Sequence, residues 1–96
     1  MVEKIVVTRH PGLVEYLRKY GHISDNTPVI AHASVETVRG KHVYGVLPLN
    51  LAVFAECVTE IPMPSLPFEL RGKELTLEQL EKYATDAVTY QVVYSK

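Results

Sequence analysis

Short β-branched runs alternate with stretches of helical period along this chain, and the alternation predicts its elements. Residues Glu3 to Thr8 are apolar and β-branched nearly throughout, the pattern of a strand buried on both faces. It ends at Arg9, and Pro11-Gly12 forces a turn. Leu13, Val14, Leu17 and Tyr20 then recur at helical spacing as far as Gly21, a C-terminal stop signal. Asn26-Thr27-Pro28 is turn chemistry, after which Val29-Ile30-Ala31 makes a second strand that delivers His32 to its C-terminal end. Ser34 to Val38 is too short to assign, and Arg39-Gly40-Lys41 is a polar turn before a third strand from His42 to Leu47. Pro48 closes that strand. Asn50 stands where it could cap a helix from Leu51 to about Cys57, whose continuous apolarity implies burial on most sides. Val58 to Met63 reads as a fourth strand, and Pro62, Pro64 and Pro67 make the next connection stiff and non-helical. Thr76 and Gln79 fit a capping box for a last helix whose face is Leu77, Leu80, Tyr83, Ala84 and Ala87. Thr89 to Tyr94 gives a final strand, at a sheet edge or in a dimer contact.

Strands alternating with helices predict an α/β fold: a compact three-layer Rossmann-like domain, with helices on both faces of a mostly parallel sheet. The 96 residues, 47% of them apolar, suffice for one domain over residues 1–96 and for only a modest core. A homodimer is therefore expected, since an interface would bury the apolar residues left over. In open sheets of this kind ligands bind outside the carboxyl ends of the strands, which selects Thr8 to Gly12, His32 to Ser34 and Leu47 to Asn50.

Ten Lys and Arg against eleven Asp and Glu leave a net charge of -1, so the chain has no footprint for long duplex nucleic acid or an anionic membrane. Any phosphate site must be local. The single Cys57 cannot form an internal disulfide, and the apolar stretch Ile5 to Val7 is too short for a signal-peptide core. Both features suit the cytoplasm.

Arg9 and His10 follow a buried strand and precede a helix whose first free amides point back at them, the geometry of a phosphate site. The plain alternative is that Arg9 pairs with a carboxylate and His10 merely caps. No G-x-G-x-x-G or Walker motif is present, so no nucleotide cofactor of those classes is expected. None of His10, His22, His32 and His42 stands three or four residues from another, so no metal site is expected. His22 and His42 fall at the opposite pole and read as solvent-exposed imidazoles, whereas His32 ends a strand at the same pole as His10. Asn50 has ligand contact and helix capping as competing roles. Covalent hydrolase chemistry has no candidate nucleophile.

Three segments carry a resemblance in their order and spacing: an opening V-T-R-H-P-G, a central G-V-L-P-L-N and a late R-G-K-E-L-T-L-E-Q-L. The chain resembles a small CRISPR-associated accessory family, the Csx proteins of the "sixteen" type, from Val7 to about Tyr83. The first motif falls on Thr8, Arg9, His10 and Gly12, the second on Gly45, Leu47 and Pro48, and the third on Arg71, Gly72 and Glu74. The resemblance implies a CARF-like fold, a place in type III CRISPR systems, and ring-nuclease activity on cyclic tetra-adenylate. The roles assigned to residues come from chemistry instead. Arg9 would stabilise phosphorane-like charge and His10, or else His32, would move a proton, with Thr8, Gly12, His32, Leu47, Pro48, Asn50 and Arg71 around the ligand. The competing expectations are a sensor or sponge that binds the same ring without cleaving it, and a protein-interaction subunit with no nucleotide site.

Overall fold

The computed structural model describes residues 2–95. Five strands form one sheet in the order β2-β1-β3-β4-β5: β1 (Lys4–Val7), β2 (Val29–Ile30), β3 (His42–Gly45), β4 (Cys57–Glu60) and β5 (Val88–Tyr90). β1 pairs in parallel with β2 and β3, and β3 pairs in parallel with β4. Only β5 is antiparallel, placing Thr89 opposite Thr59 at the sheet edge. The parallel links run through α1 (Pro11–Lys19), α2 (Val35–Val38) and α3 (Leu49–Ala52), while α4 (Leu77–Tyr83) precedes β5. β1 sends the chain out to β2 on one side and β3 returns it to the other. The order therefore reverses between the carboxyl ends of β1 and β3.

Alternate residues of the strands serve two cores. Ile5, Val43 and Val58 meet Val38, Ala52 and Ala55 beneath α2 and α3, while Val6 and Tyr44 meet Leu17 and Ile23 beneath α1. Helices thus cover both faces of a mostly parallel sheet. Val6, Leu17, Val38 and Val43 are fully buried, each contributing roughly 1.5–3 kcal/mol of apolar transfer. No helix among the described residues is long and apolar enough to cross a membrane.

Several boundaries depart from the expected ones for identifiable reasons. Ser34 to Val38, left unassigned from sequence, holds α2 through a reciprocal cap in which Ser34 and Thr37 satisfy each other's backbone N–H. Asn50 does not cap α3: Pro48 occupies that position, its carbonyl accepts from the N–H groups of Leu51 and Ala52, and Asn50 lies inside the helix. That helix ends at Ala52 rather than Cys57, and Cys57 opens β4 opposite His42. An apolar run is read equally as buried helix or buried strand, and here the ladder with β3 decides. β4 stops at Glu60, short of Met63. α4 keeps its Thr76–Gln79 capping box but ends at Tyr83 rather than Ala87, because Thr85 donates both its N–H and its hydroxyl to the carbonyl of Pro62.

Candidate functional site

Because β1, β2 and β3 are parallel, their carboxyl ends share one pole, where they deliver Thr8-Arg9-His10, Ala31-His32 and Val46-Leu47. The first segment folds on itself. The N–H of Thr8 donates to the carbonyl of Ile30 at 2.9 Å, and the hydroxyl of Thr8 accepts from the N–H of His10 at 3.1 Å. Pro11 then starts α1 with its φ already helical and no N–H left unpaired. His10 occupies the N-cap position, but its side chain makes no capping bond, so the exposed imidazole is not committed to holding the helix.

Arg9 pairs with no carboxylate among the described residues; one of its terminal nitrogens donates to Nδ1 of His32 at 3.2 Å. A guanidinium only donates, so Nδ1 is the acceptor in this contact. The pole thus presents a fixed positive charge beside the His32 imidazole, with His10 one residue away.

Thr8, Arg9 and His10 form a ridge between two depressions. The larger is a cleft of about 480 Å³ bounded by α1, α4, the ends of β1, β3 and β4, and the connection that leads from β4 to α4. Its walls are aliphatic, including Leu13, Leu66, Leu70 and Leu80, and Lys73 joins Arg9 and His10 among the charged and polar side chains lining it. The smaller depression, about 390 Å³, runs along Val14 and Arg18 on the outer side of α1.

Two glycines allow this closeness. A Cβ on Gly12 would lie 2.3 Å from the carbonyl oxygen of Leu75, so the start of α1 touches the connection directly. A Cβ on Gly45 would lie 2.3 Å from the carbonyl oxygen of Val7, and its φ of +130° is itself one that side chains disfavour. A clasp fixes α4 against α1: the ammonium of Lys19 donates to the Glu81 carboxylate at 2.6 Å, and the Tyr20 hydroxyl donates to the same group. These bonds hold the Glu81 carboxyl below its usual range.

The structure therefore brings Thr8, Arg9, His10 and His32 together, although His32 lies outside the cleft lining. Gly12 acts through packing. Pro48 and Asn50 are exposed and Leu47 is half-buried against the α2–α3 core; none lines the cleft. Arg71 is exposed just before Gly72 and Lys73, which do line it. Lys73 is not among the site residues expected from the sequence, yet it lines the cleft. Its place inside the R-G-K motif was the available signal.

The two histidines of the opposite pole are half-buried rather than solvent-exposed. Nε2 of His42 lies 2.6 Å from the Thr59 hydroxyl, which lies 2.7 Å from that of Thr89, and the ring stacks on Tyr44 at 4.5 Å. Burial, and then the charge of Lys4, hold the His42 pKa below its ordinary value. His22 tilts against the same tyrosine with ring centroids 6.0 Å apart. Burial and the neighbouring Glu56 push the Cys57 thiol up, leaving a poor nucleophile. Among the described residues no three His, Cys, Asp or Glu side chains gather as a metal site.

A family model described as "Putative CRISPR-associated protein (Cas_VVA1548)" matches residues 5–93. No curated protein and no solved structure matches the chain. The family match runs from inside β1 to beyond β5 and includes the Thr8–His10 ridge, the Gly45 contact and the Arg71–Lys73 rim. The chain belongs to this Cas_VVA1548 family of CRISPR-associated proteins.

Proposed function

We propose that this protein is a metal-independent ring nuclease that cleaves cyclic tetra-adenylate to linear products ending in a 2′,3′-cyclic phosphate, switching off type III CRISPR signalling. The observation that carries the reading is Arg9. At the carboxyl-end pole of the sheet its guanidinium pairs with no carboxylate among the described residues and donates to Nδ1 of His32 beside a cleft. Strand order 2-1-3-4-5 is that of doubly wound, Rossmann-like sheets, in which ligands sit where the order reverses; here that point is the Arg9 and Val46 ends of β1 and β3. A CARF-like assignment follows the same logic.

The chemistry needs no external nucleophile. A ribose 2′-oxygen attacks the adjacent 3′-phosphorus, the bond from phosphorus to the 5′-oxygen breaks, the 2′-hydroxyl loses its proton and the departing 5′-oxygen gains one. Arg9 offsets charge on the equatorial oxygens, and the unengaged imidazole of His10 moves a proton. Holding the sugar and phosphate in line contributes much of the rate. A ring of four nucleotides has two-fold symmetry, which a homodimer presenting this pole across its axis would match. Exposed Val46 and Leu49 beside the pole are apolar surface available to such an interface.

Sequestration of the ring without cleavage is the second reading, favoured by the engagement of His32 with Arg9, which leaves His10 as the unengaged imidazole of the pole. Incubating the protein with labelled cyclic tetra-adenylate in EDTA and separating the products decides between them. Linear 2′,3′-cyclic phosphates support the nuclease, and stoichiometric retention of intact ring supports the sponge. Light scattering that returns a monomer mass at micromolar protein would remove the two-fold site.

A further inference from the structure

The charges of the site occupy only part of the cleft they border. Thr8, Arg9, His10, Thr59, Glu60 and Lys73 contribute polar groups, the Glu60 carboxylate being hydrogen-bonded by Tyr90, whereas Leu13, Ile61, Met63, Leu66 and Leu70 make an aliphatic lining that a phosphate could not use. A phosphate would lose hydration against such walls without recovering it. A volume of about 480 Å³ lies within the range of small-molecule sites, which combine apolar walls with a few placed polar groups.

We infer that the cleft receives one purine base of the ligand, with its 3′-phosphate held between Arg9 and Lys73. The inference rests on the nucleotide reading above and adds that recognition is of a base-in, phosphate-out nucleotide unit. Among the described residues no Phe or Tyr lines the walls, so the base is held by aliphatic contact and by the thioether of Met63, a polarisable partner for aromatic rings. Gly12 fixes the depth of the cleft, because its missing Cβ lets the connection bearing Leu66 and Leu70 close down on α1 through Leu75. Lys73 reaches the cleft from this connection, so the base and the second phosphate contact are supplied by one segment.

The chain has no tryptophan, so Leu70→Trp places a unique fluorophore in the wall. Titrating this variant with adenosine 3′-monophosphate and with cyclic tetra-adenylate should quench its emission saturably. Ribose 5-phosphate, which has no base, should bind roughly ten- to a hundredfold more weakly, the affinity equivalent of one buried base. Leu66→Asp, checked for an unchanged melting profile, should weaken both nucleotides by about tenfold or more in equilibrium dialysis. Lys73→Ala should weaken nucleotide and ribose phosphate alike. Equal binding of ribose 5-phosphate and the nucleotide, or full nucleotide affinity in Leu66→Asp, overturns the base cleft. If ring binding in dialysis still depends on Arg9 in that case, the phosphate site stands and only the cleft assignment falls. If the unaltered protein binds neither nucleotide, both fall.

Discussion

Arg9 and His32 each stand two residues beyond the carboxyl end of a strand, β1 and β2, which pair in parallel, and they meet through a 3.2 Å bond from guanidinium to Nδ1 that neither residue's local sequence requires. The contact fixes the direction of a charge otherwise free to swing in solvent. Arg9→Ala should therefore reduce ring binding or cleavage by about 1.5–3 kcal/mol, the value of one charged hydrogen bond, while the melting temperature changes little because the residue is exposed. Arg9→Lys should recover only part of the loss, since an ammonium cannot bond phosphate and His32 with the same planar fork. Isothermal titration alongside thermal melts checks both; unchanged affinity at unchanged stability would remove Arg9 from the site.

Gly45 and Gly12 predict a different pattern. Gly45→Ala forces a methyl against the carbonyl oxygen of Val7 in the next strand and a side chain into a φ of +130°. It should cost about 1–3 kcal/mol and lower the melting temperature by roughly 4–8 °C for each kcal/mol. Gly12→Ala meets the Leu75 carbonyl on a connection rather than in the sheet. That atom is backbone and does not yield cheaply, so Gly12→Ala should lower stability and, by displacing the segment that carries Leu70 and Lys73, lower ring affinity as well. Equal effects of the two substitutions on stability would mean that the connection is as rigid as the sheet.

Much of this arrangement was legible from period and turn chemistry. The buried run ending at Arg9, the Pro11 start of α1 and the Thr76–Gln79 cap are local signals, and each stands where those signals put it. What was hidden depends on contacts distant in sequence. Cys57 belongs to a strand because β3 pairs with it, and α4 stops at Tyr83 because Thr85 is bonded to Pro62. His42 appeared solvent-exposed because nothing nearby in sequence announces Thr59 or Thr89. Lys73 joined the cleft for a similar reason, through the approach of Leu75 to Gly12.

His42 also makes stability depend on pH. Burial and Lys4 lower its pKa in the folded chain, so the unfolded chain binds the proton more readily. Its contribution is complete above the ordinary histidine value of about 6.5 and is lost as pH falls from there through the lower folded value. His42→Gln keeps a partner for Thr59 but cannot titrate. Melting temperatures between about pH 5 and pH 8, above the carboxylate range, should therefore fall less steeply on acidification in the variant. Parallel curves would show that another group sets the slope.

The sharpest test of the chemistry is the division of labour between His10 and His32. His10 sits at the N-cap position without a side-chain capping bond, one residue from Arg9. His10→Ala should slow cleavage by roughly 10²–10⁴-fold with ring affinity nearly unchanged, and EDTA should leave cleavage by the unaltered protein intact. His32 acts through Arg9, so His32→Ala should raise KM as well as lower kcat, and His32→Asn, whose side-chain oxygen can still accept from Arg9, should restore much of the affinity. A mere structural role for His10 predicts a small kinetic effect that tracks the melting temperature. If EDTA abolishes turnover and a divalent ion restores it, the metal-free route is wrong. If His32→Ala lowers kcat without changing KM while His10→Ala is innocuous, the pole is right and the proton carrier is His32. If neither matters, Arg9 and in-line positioning carry the rate alone, and the enzyme should be slow with a shallow pH profile through the histidine range.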